Sequence, residues 1–415
     1  VSLSNGWTGG QYSVFRALFG LYLAVHFVSL LPWGGELFSR EGMVPEATTS
    51  PLAWLFPNLL TWLDAPWTVT LLLAVGAAGS LLLMAGASDR WAPIAVWYVW
   101  ACLLGRNPLI LNPGIPYVGW ILLATTLLPR APFGSWHARG RADPGGGWRL
   151  APSVFAAAWV VMAVGYTFSG ITKIGSPSWM DGTALVRILD NPLARPGPIR
   201  DFVRDLPAPL LSTCTWGVLG LEIAYAPLAL ARRLRPWLWA SMLALHLSLI
   251  LLIDFADLSL GMVMLHLFTF DPAWVRGRSP GQVETLLYDG DCGLCHRAVR
   301  FLLAEDPDGS AFRFAPLGGE TFRTRVAPEL RARLPDSLVV LAADGGVLTR
   351  SAALRHLMGR LGGFWRVGAE ALRLVPERVQ DAVYDGVARL RHRLFARPDE
   401  ACPLLPPDLR ARFSI

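Results

Sequence analysis

Lysine is almost missing: of the 37 basic residues one, Lys173, is lysine and every other is arginine. Charge is scarce altogether, at 16% of 415 residues against 53% hydrophobic. Ordinary soluble domains carry about 25% charged residues, so a cytosolic globule is excluded. Cysteine is sparse too. Five cannot all pair, and Cys102 and Cys214 sit in apolar runs, which excludes a disulfide framework. No internal repeat, low-complexity tract or cleavable signal sequence is evident, and the first apolar run is long enough to be kept as a span. A net charge of +6 and a pI near 9.3 suggest nucleic acid until the arginines are placed. They fall in loops and after the last apolar run, where the positive-inside bias accounts for them, so no nucleic-acid partner is expected.

About eight segments approach the ~20 apolar residues that cross a bilayer: 14–32, 67–87, 91–104, 108–128, 152–172, 210–231, 236–253 and 258–270. The fourth contains Pro108, Pro113, Gly114 and Pro116 and should be an interrupted or re-entrant helix. The expected fold is an α-helical polytopic membrane bundle over residues 1–275, a linker over 276–283, and an α/β thioredoxin-like soluble domain over 284–415. Arg90, the cluster Arg130, Arg139, Arg141 and Arg149, the cluster Arg232, Arg233 and Arg235, and the soluble domain all fall on one side. That side is expected to be the cytoplasm, with both termini cytoplasmic and the chain integral to the cell inner membrane.

In the soluble part, strands are expected at 284–288, 311–314 and 337–343, a Gly-Gly hairpin turn into 347–349, and helices at 293–304, 352–361, 366–374 and 377–394. Between the first strand and helix lies Asp289-Gly290-Asp291-Cys292-Gly293-Leu294-Cys295-His296. Cys292 would start the helix, where free N–H groups favour thiolate, and Cys295 one turn on can attack a mixed disulfide. Asp289 and Asp291 oppose thiolate formation by like-charge repulsion. The residues alone leave other readings open: a c-type haem attachment signature, a zinc site with Cys402, or an inert relic of a redox fold. A haem attached outside the cytoplasm conflicts with the expected topology, and no second cysteine pair supports zinc, so neither haem nor metal is expected.

Tyr288-Asp289-Gly290, the Asp-x-x-Cys-x-x-Cys spacing, Phe312-Arg313-Phe314, Asp336-Ser337, Arg350-Ser351-Ala352, Asp381-Ala382-Val383-Tyr384, Cys402-Pro403 and Arg412-Phe413 together resemble the DCC family of thiol-disulfide oxidoreductases. The resemblance covers Glu284–Phe413. It implies a thioredoxin-like fold with Cys292 as nucleophile and Cys295 as resolving partner, while Cys402 is either a third redox thiol or a buried apolar one.

Lys173 ends the fifth segment, after Ser169-Gly170-Ile171-Thr172 and before Trp179 and Gly182. Arginine keeps its proton, whereas a desolvated lysine can act as a general base; the competing reading is a cation snorkelling to the interface. Glu222 and His246 lie mid-span on consecutive segments, are costly in lipid, and are candidates to share a proton. These residues, with Arg106-Asn107-Pro108, Asn112-Pro113-Gly114 and the 246–272 segment, resemble the horizontally transferred transmembrane domain related to vitamin K-dependent γ-carboxylase. That resemblance covers about Trp7 to Trp274. It implies that Lys173 is the base that deprotonates reduced vitamin K for reaction with O₂, with Glu222 and His246 beside it. Trp179, Asn112 and His266 are then the residues that hold a reduced quinone of vitamin K type. With no large extracytoplasmic domain to hold a substrate chain, quinol chemistry transfers rather than protein carboxylation. The terminal arginines, among them Arg389, Arg391, Arg393 and Arg397, read as a solvated helix face or a contact with anionic lipid.

The sequence thus describes an integral membrane redox enzyme, a quinol-linked carboxylase-like domain fused to a dithiol domain. Its partners would be the bilayer and a lipid-soluble quinone or a peptide. The alternative is a non-catalytic membrane scaffold or peptide-maturation factor with a dithiol sensor.

Overall fold

A computed structural model describes residues 5–46, 50, 56–110, 112–254, 256–279, 281–335, 337–394 and 406–414. Cys402 and Arg397 lie outside them. The described chain forms two compact units.

The first, Phe15–Leu128 with Ala151–Phe270, is helical. Its longer helices are α1 (Gly9–Leu30, whose first turn belongs to the other unit), α2 (Pro66–Ala85), α3 (Trp91–Arg106), α4 (Gly114–Thr126), α5 (Pro152–Lys173), α6 (Ala208–Ala229), α7 (Arg235–Leu252) and α8 (Ala256–Thr269). Each expected segment holds a helix, but among the described residues four, α1, α2, α5 and α7, are long and apolar enough to cross a membrane. The fourth segment is interrupted: α3 ends at Arg106, a 3₁₀ turn follows over Pro108–Ile110, and α4 starts at Gly114.

Helices α5 and α6 approach closely, and two residue choices permit it. A Cβ on Gly170 would lie 2.7 Å from the Ile223 nitrogen and 2.9 Å from the Glu222 Cβ, so only glycine allows the approach. Pro227 cannot donate to the Ile223 carbonyl one turn back. Thr167 Oγ1 of α5 donates to that carbonyl at 3.3 Å and accepts from the Ala226 N–H at 2.9 Å.

The second unit combines residues 5–14, Pro129–Leu150 and the chain from Asp271 on. Its sheet has the order β2-β1-β3-β4, with β1 (Glu284–Tyr288) parallel to β2 (Phe312–Pro316) and antiparallel to β3 (Val339–Leu341), which pairs antiparallel with β4 (Val347–Thr349). Four helices follow the expected order: α9 (Gly293–Glu305), α10 (Arg350–Leu361), α11 (Gly363–Leu372) and α12 (Glu377–Leu394). Short helices at Glu320–Arg325 and Pro328–Arg331 were not evident from sequence. Central β1 is buried along its whole length, and Cys295, Val299, Leu302 and Leu303 of α9 pack on Leu286, Phe312, Phe314 and Val340. Gly345, at φ +87°, turns β3 into β4.

The N-terminal segment is tied to this core by Glu305 at the end of α9. Its buried carboxylate accepts from Thr8 Oγ1, from the Gly10 N–H at 2.8 Å and from Trp365 Nε1 at 2.5 Å. Burial raises its carboxyl above the usual range despite these donors. Within the expected linker Arg278 is held: its N–H donates to the Gly359 carbonyl at 2.9 Å, and Arg360 donates back to the Arg278 carbonyl at 2.8 Å.

Candidate functional site

The dithiol sits where β1 turns into α9. Asp289 organises the turn: its carboxylate accepts from the Asp291 N–H at 2.9 Å and its carbonyl from the Cys292 N–H at 3.3 Å. His296 Nε2 donates to the Gly290 carbonyl at 2.9 Å and clamps the turn from one helical turn on. Cys292 is the N-cap of α9, and its Sγ accepts the Cys295 N–H at 3.3 Å. That is the place where a helix stabilises a developing thiolate. Both cysteines are buried, Cys292 1% and Cys295 4% exposed. Burial, with the neighbouring Cys292 sulfur, pushes the Cys295 thiol up to about 12. Cys295 is therefore held as a thiol at neutral pH.

Arg391 of α12 was not foreseen. Rather than lying on a solvated or lipid-facing surface, it is 4% exposed and pairs with Asp289 Oδ2 at 3.2 Å. The carboxylate that opposes thiolate formation is thereby offset, and the same guanidinium draws the Cys295 thiol downward against its burial. Nothing local in the sequence links positions 102 residues apart. Other motif residues prove to be struts. Asp381 accepts from the N–H and hydroxyl of Ser351 at the start of α10, and Tyr384 Oη accepts the Leu338 N–H at 3.1 Å. Arg412 pairs with Asp306 Oδ2 at 2.6 Å while residues 412–414 bridge to β2.

In the helical unit, Lys173 is the last residue of α5 and its ammonium pairs with Glu222 Oε2 of α6. Lys173 also donates to Ser169 Oγ at 3.0 Å, and Nζ stands 4.8 Å from the centre of the Trp179 ring. Glu222 and His246 do not share a bond. His246 instead meets Tyr166 Oη through Nε2 at 2.8 Å, and Tyr166 also faces His266 Nε2 at 3.4 Å. His266 Nδ1 lies 2.8 Å from the Met262 carbonyl and must donate to it, which leaves its Nε2 an acceptor for the tyrosine proton. Tyr166 then accepts from His246 Nε2–H. His246 Nδ1 is left as a buried acceptor with no hydrogen-bond partner among the described residues. The structure therefore groups Lys173, Glu222 and Trp179, and groups His246 with His266 through Tyr166. Asn112 joins neither: its side chain accepts the Gly114 N–H at 2.9 Å and lines a cavity of about 160 Å³ with His26 and Trp100.

A buried dithiol capping the helix that follows the central strand of a mixed sheet defines a thiol-disulfide exchange domain. Residues 286–397 match the family model of the DCC1-like thiol-disulfide oxidoreductases. The chain is 36% identical over 134 residues to "Uncharacterized protein YuxK" of Bacillus subtilis, covering 31% of this chain and 93% of that protein. It is 31% identical over 119 residues to "DCC family protein At1g52590, chloroplastic" of Arabidopsis thaliana, covering 29% of this chain and 68% of that one. No solved structure matches. Through this C-terminal domain the chain belongs to the DCC-like thiol-disulfide oxidoreductase family, joined here to apolar helices of membrane-crossing length.

Proposed function

We propose that this chain is a membrane-bound oxidoreductase whose thioredoxin-like domain exchanges thiols for disulfides, with Cys292 as nucleophile and Cys295 as resolving thiol. The observation that carries this is the Cys292 sulfur at the α9 N-cap, accepting the Cys295 N–H, with Cys295 held protonated. The Cys292 thiolate attacks one sulfur of a substrate disulfide; that S–S bond breaks and the first thiol leaves with a proton. Cys295 then attacks the Cys292 sulfur, its proton going to the second leaving thiol. The dithiol loses two electrons and the substrate gains them. Replacing Cys295 with Ser should stop the reaction at a mixed disulfide on Cys292, detected by intact mass and peptide mapping. Turnover that persists in Cys295→Ser would overturn the assignment.

The helical unit supports a second centre, a base site for a reduced quinone, as the carboxylase resemblance implies. A bound quinol supplies an acidic hydroxyl and two electrons. Lys173 and Glu222 form a paired base, Trp179 offers an aromatic face beside it, and the unpartnered His246 Nδ1 is a buried acceptor that fits a hydroxyl donor. Lys173→Arg keeps the cation but cannot yield a proton, so it should leave thermal stability and copurifying quinone unchanged while quinol oxidation is lost. Full oxidation by a stable Lys173→Arg protein would remove the base and favour the scaffold reading. The arginine clusters support a cytoplasmic dithiol domain.

A further inference from the structure

The dithiol is buried, yet one of its cysteines, Cys295, lines a cavity. Beside α9 lies a cavity of about 430 Å³, with Leu294, Cys295 and Leu354 on one side and Val379, Val383 and Val387 of α12 on the other. The three valines recur every fourth residue, so they make one stripe along α12. They stand 51%, 64% and 47% exposed, an apolar rim on a helix whose remaining faces carry charge.

The polar side chains at this cavity already have protein partners. Arg391 is paired with Asp289, Ser351 bonds Asp381, Tyr384 accepts from Leu338, and Gln380 donates to the Leu372 and Val375 carbonyls while accepting from Arg355. A polar thiol of the peptide kind would bring amide and carboxylate groups into a site with no arranged donors or acceptors for them. The volume falls in the range of small-molecule sites, about 300–1,000 Å³. A folded protein surface cannot bring a disulfide to cysteines that are 1% and 4% exposed, whereas a slim chain can enter alongside Cys295.

We propose that this cavity is the substrate pocket of the dithiol and that the substrate is a low-molecular-weight thiol or disulfide carrying an apolar chain, the chain lying against the α12 valines with its sulfur at the Cys295 end, next to which Cys292 Sγ lies 3.3 Å from the Cys295 nitrogen. The inference rests on the exchange reaction above and specifies its substrate class. The chemistry is unchanged: an apolar disulfide is reduced to two thiols as the Cys292–Cys295 disulfide forms.

The test uses the full chain in detergent and a series of n-alkyl methanethiosulfonates from methyl to hexyl, with the charged 2-sulfonatoethyl reagent beside them. Cys292 attack on the reagent sulfur forms a mixed disulfide and releases methanesulfinate. Loss of reduced Cys292 is followed by quenched peptide mapping, and exposed Cys214 reports how far micelles concentrate each reagent. Relative to Cys214, the Cys292 rate should rise by up to about fourfold per added methylene, the equivalent of about 0.8 kcal/mol per buried CH₂, until the cavity is full. Val383→Trp should reduce the hexyl-to-methyl ratio to less than about threefold, and Val383→Thr, which keeps the shape and adds a hydroxyl, should lower it to an intermediate value. A flat series with brisk reaction of the charged reagent overturns the pocket and leaves the exchange reaction standing. No reaction of Cys292 with any reagent overturns the exchange reaction itself. A steep series that Val383→Trp does not change places the chain elsewhere and overturns the pocket, and a cysteine peptide disulfide outpacing the hexyl reagent overturns the small-molecule assignment.

Discussion

Arg391 shows how one side chain decides the chemistry of a motif that is otherwise local. Cys292, Cys295 and the strand-to-helix turn were legible because Asp-x-x-Cys-x-x-Cys compresses them into one helical turn. The partner of Asp289 was not, because it arrives from α12 and its exposed neighbours on the same helix invite a solvated reading. The Cys295 thiol is pushed up by burial first and by the Cys292 sulfur next, and is drawn down by Arg391. Its thiolate fraction therefore grows tenfold per pH unit until about pH 12, and resolution of the mixed disulfide should accelerate with it. Arg391→Ala removes the cation that draws the Cys295 thiol down and strands Asp289, so the Cys292 mixed disulfide should persist at least about tenfold longer at pH 7.5. The double variant Arg391→Ala with Asp289→Asn should recover much of that rate. An unchanged lifetime in Arg391→Ala, measured by acid quench and mass analysis, would reduce Arg391 to a packing role.

At the scale of helices, the α5–α6 contact carries the second centre, and its halves differ in legibility. Ser169 and Lys173 lie four residues apart, so one helix face was readable from spacing. Glu222 was readable only as a charge too costly to leave in lipid, and sequence offered His246 as its partner; the register of α6 on α5 gives it Lys173 instead. That register is set by Gly170, against the Ile223 backbone, and by Thr167, which serves the carbonyl that Pro227 leaves without a donor. Gly170→Val places three carbons where a single one already meets backbone at 2.7 Å. The helices must part, at a cost of about 1–3 kcal/mol, and the Lys173–Glu222 pair should be lost. A double-mutant cycle of Lys173→Met and Glu222→Gln reads the pair directly. Thermal unfolding should give a coupling of about 1 kcal/mol or more in the native background and close to none beside Gly170→Val. Equal coupling in both backgrounds would mean that the glycine does not set the pairing.

Over the whole molecule, the composition of the second unit constrains how the chain crosses a membrane. Residues 5–14, 129–150 and those from 271 on belong to one compact unit, so a chain that crosses a membrane through its helices would return to the same side after α1–α4 and again after α5–α8. Each half would therefore make an even number of crossings. Hydropathy alone could not show this, because Glu305 joins residues 8 and 10 to α9 across nearly 300 positions. Both counts meet the condition: eight crossings place four in each half, and the four long helices place α1 and α2 in one half, α5 and α7 in the other. They differ at the turn between α6 and α7. Arg232, Arg233 and Arg235 lie on the side of the dithiol unit if α6 crosses and on the opposite side if it does not. The positive-inside bias favours α6 crossing, since those arginines then join Arg130, Arg139, Arg141 and Arg149. Cysteines replacing Asp308, Arg233 and Asp205 one at a time, all exposed, separate the cases in a background with Cys214 and Cys402 both changed to Ser. With an impermeant maleimide on intact cells, only Asp205→Cys should label, and Asp308→Cys and Arg233→Cys should label after permeabilisation. Labelling of Arg233→Cys along with Asp205→Cys would establish that α6 does not cross, and labelling of Asp308→Cys from outside would put the dithiol on the outer face.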